Sequence, residues 1–196
     1  MNFFDFVTSV DFLILNFIQN TLRCDFLDFV MKYLSFIGEL GGIWILAAII
    51  MLCFRKTRAI GVMVLCALLI GGLVGELGLK HLVCRSRPFT VNTDVILSIT
   101  PPSGYSFPSG HSCSSFAAIT IMLARNKKIG IPALVLGTLI AFSRLYNYVH
   151  FPSDVLCGIL LGIISAIIVL IIFKKTGFDK KLSGDLKYKS TENQNN

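Results

Sequence analysis

Apolar residues in this 196-residue chain fall in long runs broken by short polar stretches, without the period-two alternation of half-buried strands. Residues 41–54 (GGIWILAAIIMLCF), 59–79, 116–124, 129–142 and 155–173 contain few charges. A membrane-spanning helix needs about 20 mostly apolar residues. The last run meets that with its flanks, and others reach it once short polar edges are included. The pattern predicts spans at about 41–54, 59–82, 109–125, 129–148 and 153–173. A shorter apolar stretch holding Asp28 and Lys32 predicts a further, first span at about 25–38. Residues 3–22 carry Asp5, Asp11, Asn16 and Gln19 and lack the basic start and small-residue cleavage site of a secretory signal. They read as an amphipathic helix lying in the membrane interface. The expected architecture is an all-α polytopic transmembrane bundle of six spans plus an N-terminal interfacial helix. One membrane-embedded domain covers 1–174, followed by a tail at 175–196.

Composition agrees: 54% of residues are hydrophobic and 15% charged, where a soluble domain carries about a quarter charged residues. The net charge of +7 does not point to nucleic acid, because the basic residues cluster where apolar runs end. Arg55, Lys56 and Arg58, then Arg125, Lys127 and Lys128, then the lysines from Lys174 onward mark short loops and the tail. The positive-inside rule reads all three clusters as cytoplasmic. The tail is expected near anionic headgroups, with a disordered Ser-Thr-Glu-Asn-Gln end. Six cysteines show no metal-binding spacing. Cys53, Cys66 and Cys157 fall in apolar segments, where free cysteine behaves as a small hydrophobe. Cys84 and Cys113 fall toward the outer face, but nothing in the sequence calls for a disulfide between them.

With the basic loops inside, three polar motifs arrive together at the opposite face. They bring the cations Lys80, Arg85, Arg87 and Arg144, the titratable His111 and His150, and the acid Asp154. Charge at membrane depth is costly and implies function. Lys80 and Arg87 are seven residues apart, near two helical turns, so a helix would set both on one face, although Pro88 disfavours helix at Arg87. Fixed cations around one cavity describe an oxyanion site, and arginine's planar fork suits phosphate. Pro108-Ser109-Gly110-His111 opens a helix, with Ser109 as N-cap and Gly110 allowing close approach to the anion-attracting first turn. His111 then stands beside the anion as a proton donor. His150 and Asp154 flank a tight corner, with Pro152 at the first position of the last helix. Asp154 is expected to accept a hydrogen bond from one ring nitrogen of His150, leaving the other free to attack. His81 and Arg85 are expected at the rim as headgroup contacts. Glu76, one turn before Lys80, is a pairing partner for a cation and receives no catalytic role.

These motifs resemble those of the type 2 phosphatidic acid phosphatase superfamily, which is also similar to the vanadium haloperoxidases and glucose-6-phosphatase. The family pattern K-x6-R-P, P-S-G-H and S-R-x5-H-x3-D occurs without mismatch as Lys80-HLVCRS-Arg87-Pro88, Pro108-Ser109-Gly110-His111 and Ser143-Arg144-LYNYV-His150-FPS-Asp154. The resemblance implies that His150 attacks phosphorus and forms a phosphohistidine, that Asp154 orients it, and that His111 protonates the leaving oxygen. Lys80, Arg87, Ser109, Gly110 and Arg144 would hold the phosphoryl oxygens, with no metal or other cofactor. The implied reaction removes phosphate from a membrane lipid phosphate or diphosphate at the extracytoplasmic face of the cell membrane. Undecaprenyl pyrophosphate is the leading substrate, and phosphatidic acid and phosphatidylglycerol phosphate are the alternatives. A vanadate-dependent haloperoxidase and a non-catalytic lipid-phosphate transporter are the competing classes. The spans weigh against the first, and the intact histidines and aspartate against the second.

Overall fold

The computed structural model describes residues 3–178, and these are helical throughout their regular structure, with no strand. Helix α1 (Phe3–Leu22) is followed by α2 (Asp25–Ile37), a 3-10 turn (Glu39–Gly41) and α3 (Gly42–Cys53). Next comes α4 (Arg58–Gly72), which runs through a π-helical segment (Leu73–Leu79) into α5 (Lys80–Val83). A short α6 (Pro88–Val91) sits in the long loop before α7 (Gly110–Arg125), α8 (Lys127–Tyr146) and α9 (Pro152–Thr176). The expected tail lies outside the described residues from 179 onward.

Local chemistry sets the boundaries. Ser109 caps α7, its hydroxyl accepting from the Ser112 amide. Asn126 is extended, ends α7, and caps α8 by accepting from Lys128 N at 3.0 Å. Pro152 opens α9, where its missing N–H costs nothing, and Gly177 closes it in the left-handed region at φ 61°.

The helix α4 with its extension to Val91, together with α8 and α9, is long and apolar enough to cross a membrane. The chain is a multi-pass membrane protein. The count of six spans is not reproduced. Residues 25–38 and 41–54 form two helices joined by a 46° bend, so the chain keeps its general direction instead of reversing. Counted as one broken span, the pair is the fourth candidate crossing. The physical reason is length: 12 or 13 helical residues reach about 20 Å, well short of a hydrocarbon core of about 30 Å. Leu40 and Gly41, at φ 50° and 71°, make the break.

Helix α7 is the centre of the bundle, packed against α4, α8 and α9. Its small buried residues, including Ser112, Ser115, Ala117 and Ala118, let neighbours approach closely. The closest approach is to α9. A Cβ on Gly158 would stand 2.5 Å from the Ser109 carbonyl oxygen, and one on Gly162 would collide with the carbonyl of Cys113. Trp44 reaches in from α3 and donates its indole N–H to Ser115 at 3.0 Å. Large apolar side chains such as Phe29, Leu46, Leu69, Leu156 and Ile167 are exposed on the outside, as expected where lipid is the solvent.

Helix α1 differs from the amphipathic expectation in which way it faces. Phe4, Phe6, Leu13 and Phe17 are exposed, whereas Asp11, Leu15 and Ile18 are buried. Gln19 donates to the Tyr146 carbonyl at 2.7 Å, and Asn16 accepts from the Tyr148 hydroxyl at 3.0 Å. Asp11, Asn16 and Gln19 thus bond the corner between α8 and α9.

Candidate active site

The basic clusters stand where α4 and α8 begin and where α7 and α9 end. The other ends of the same four helices carry the polar motifs. A cavity of about 690 Å³ opens there, with Lys80, Arg87, Gly110, His111, Arg144 and His150 among the residues lining it. Leu40, Ile45, Leu65 and Leu69, from the α3 and α4 side, give it an apolar wall.

His150 lies in the corner before α9, buried. Arg87 Nη1 lies 3.4 Å from its Nε2, and Asp154 Oδ2 lies 3.7 Å from its Nδ1. An arginine N–H can only donate, so Nε2 carries the lone pair and Nδ1 the proton. Burial, reinforced by the Arg144 and Arg87 cations and opposed by Asp154, lowers the His150 pKa from 6.5 to about 4. The imidazole is therefore neutral at physiological pH, with its basic nitrogen beside a guanidinium. Arg87 is itself fixed by carbonyls, donating to Gly104 at 2.9 Å, Ser103 at 3.1 Å and Val149 at 3.0 Å.

Asp154 is fully buried, and its oxygens are occupied. Oδ1 accepts from Arg85 Nη1 at 2.6 Å, and Oδ2 accepts from the Phe151 amide at 2.8 Å and from the Ser106 hydroxyl. Across the cavity, His111 Nε2 lies 3.0 Å from the Ser35 carbonyl and 3.7 Å from Glu39 Oε2. The Arg144 guanidinium donates to the Ser35 hydroxyl. Lys80 pairs with Glu76 at 2.7 Å, and Glu76 stands at the start of α7, with Oε1 2.5 Å from where a Gly110 Cβ would be.

A cationic, histidine-bearing pocket at four helix ends can be compared with known proteins. The PAP2 superfamily profile matches residues 57–178. The chain belongs to the PAP2 superfamily. It is 35% identical over 163 residues to an undecaprenyl-diphosphatase of Sulfolobus acidocaldarius, covering 82% of this chain and 77% of that protein. Among solved structures, it is similar to Aquifex aeolicus LpxE at TM-score 0.72 and 28% identity, over 81% of this chain and 93% of the other. It is also similar to a PAP2 type phosphatidylglycerolphosphate phosphatase from Bacillus subtilis, at TM-score 0.68 and 28% identity, covering 89% and 87% of the two chains.

Within this PAP2 fold, several sequence expectations need correction. Lys80 and Arg87 do not share a helix face: α5 ends at Val83, Cys84 turns left-handed at φ 49°, and Arg87 is extended before Pro88. The two cations reach the cavity from separate segments. His150 and Asp154 are not hydrogen-bonded at 3.7 Å, and Nδ1 of His150 has no partner; the carboxylate is instead held by Arg85, Ser106 and the Phe151 amide. Arg85 is not a rim contact but an internal brace bonded to Asp11, Ser153 and Asp154. Ser109 is buried, and its hydroxyl bonds Ser112 at 2.9 Å, so its visible role is to shape the start of α7. In line with the sequence reading, Cys84 and Cys113 are both free. Sequence reasoning missed Ser35, Glu39 and Ser106. Each meets the site only through tertiary contact, and none belongs to a recognisable spacing.

Proposed function

We propose that this PAP2 lipid phosphatase hydrolyses a polyprenyl diphosphate, undecaprenyl pyrophosphate being the best candidate, without a metal and through a phosphohistidine at His150. The observation that carries the reading is the His150 environment: a buried, neutral imidazole with Nδ1 facing a fixed carboxylate and Nε2 facing the cavity beside Arg87. Nε2 attacks phosphorus, the N–P bond forms, and the P–O bond to the lipid-bearing leaving group breaks. His111 supplies the proton to the departing oxygen. Lys80, Arg87 and Arg144, with the Gly110 amide at the start of α7, stabilise the charge on the phosphoryl oxygens. Asp154 offsets the positive charge that the His150 ring acquires. Water then gives a proton back to His111 and attacks phosphorus, the N–P bond breaks, and phosphate leaves with the His150 imidazole restored.

The apolar wall between α3 and α4 supports a long hydrocarbon tail leaving the phosphate site sideways. The relative named undecaprenyl-diphosphatase favours a prenyl diphosphate over a diacyl lipid. The basic clusters at the opposite helix ends favour an extracytoplasmic site with the C-terminus in the cytoplasm. The test is phosphate release by purified protein in detergent with EDTA, offering undecaprenyl pyrophosphate, phosphatidylglycerol phosphate and phosphatidic acid, with His150→Ala as control. Fastest release from the prenyl diphosphate, abolished in the variant, is expected. Equal rates for variant and wild type would sink the mechanism, and a faster diacyl substrate would sink the substrate assignment.

A further inference from the structure

Helix α1 buries a carboxylate that the proposed reaction does not use. Asp11 is 3% exposed and stands at the corner where α9 begins. Its Oδ2 accepts from Arg85 Nη2 at 2.8 Å and from the Ser153 hydroxyl at 2.5 Å, and its Oδ1 accepts from the Ser153 amide at 2.9 Å. The same guanidinium gives Nη1 to Asp154 Oδ1 at 2.6 Å and to the Ser153 hydroxyl at 2.7 Å. It lies 4.0 Å from the centre of the Phe151 ring, whose edge meets Phe12 of α1 at 5.2 Å. One arginine thus bridges two buried carboxylates and is clamped from below by an aromatic ring.

A buried acid is costly unless it is paired, and packing α1 alone would be served by an apolar residue at position 11. What the acid adds is direction. Asp11 fixes Nη2 of Arg85, the planar fork then fixes Nη1, and Nη1 fixes one oxygen of Asp154. That leaves Oδ2 for Ser106, the Phe151 amide and the face turned toward His150. Asp11 also grips Ser153, inside the segment that connects His150 to Asp154. The family profile begins at residue 57, so α1 and Asp11 lie outside what the three motifs describe.

We propose that Asp11 and Arg85 are positioning residues for the reaction: α1, through Asp11, holds Arg85, which fixes Asp154 and the segment 150–154 and with them the place of the His150 ring. This rests on His150 being the nucleophile. A nucleophile misdirected by about 1 Å can lose about 100-fold in rate, and the loss falls on the step that forms the phosphohistidine.

The test compares full-length wild type with Asp11→Ala, Asp11→Asn, Arg85→Ala and the Asp11→Ala/Arg85→Ala pair in detergent. The readouts are kcat and KM with undecaprenyl pyrophosphate and the rate of phosphohistidine formation by rapid alkaline quench. Asp11→Ala is expected to lower kcat and phosphohistidine formation about 10- to 100-fold, with KM within about threefold. The pair should be no slower than Arg85→Ala, because Asp11 acts through Arg85. Asp11→Asn, which keeps the shape and the Ser153 contact but loses the arginine pairing, carries the same comparison if the alanine variant aggregates. Wild-type phosphohistidine formation in either Asp11 variant, a loss confined to KM, or additive losses in the pair would overturn the proposal. Absence of any phosphohistidine in active wild-type protein would instead overturn the reading of His150, so the two failures are separable.

Discussion

At the residue scale, the decisive property of the site is that His150 has been taken out of water with cations nearby. Its pKa is lowered to about 4, so protonation removes the lone pair that the proposed mechanism uses only well below neutrality. At saturating substrate, kcat is expected to stay level as pH falls from 7 to about 5 and then to drop, as the nucleophile titrates near 4. A pH series on purified protein checks this, and an acid limb centred near 6.5 would show that the ring is solvated in the working enzyme. The residues that meet at the cavity were legible in the sequence because their spacing is local: a cation before Arg-Pro, a capping serine before His111, and histidine and aspartate around Pro152. The supports were not. Ser106 is bonded to Asp154 across 48 positions and Arg144 to Ser35 across 109, and no periodicity links residues so far apart. Asp11 left a faint trace, an acid inside an apolar helix, but nothing to say that its partner is Arg85.

At the element scale, the site depends on how closely α9 approaches α7, because α9 carries Asp154 and α7 carries His111. Gly162 stands against the Cys113 carbonyl with no room for a Cβ. Gly162→Leu is expected to separate the two helices and to destabilise the fold by about 1–3 kcal/mol, read as a lower Tm in detergent. An unchanged Tm would mean that this contact does not limit packing. The helices themselves were largely visible as apolar runs, and α1 matches the expected 3–22. What a run of apolar residues does not reveal is whether the chain reverses after it. The polar break before α3 looked like a turn between two spans. The left-handed Leu40 and Gly41 instead bend one path by 46°, and that bend brings Ser35 and Glu39 beside His111. The facing of α1 was equally hidden, because its acid serves an ion pair with Arg85.

At the scale of the whole molecule, charge asymmetry assigns the two ends of the bundle to opposite sides of the membrane. Cys53, beside the Arg55–Arg58 cluster, and Cys84, at the end of α5, are both exposed and free, which makes them natural reporters. On intact cells, a membrane-impermeant thiol reagent is expected to label a variant retaining only Cys84 and to spare one retaining only Cys53. The reverse pattern would place the site in the cytoplasm. The proposed outward site, with its sideways apolar wall, suits a substrate that never leaves the bilayer.

The central claim is that His150 becomes covalently phosphorylated. The most direct measurement is alkaline quench of the enzyme during turnover of a diphosphate lipid, followed by peptide mapping of bound phosphate. The account predicts an acid-labile phosphoryl group on His150, absent from His150→Ala. Phosphate release with no label at any histidine, or with the label on another residue, would contradict it.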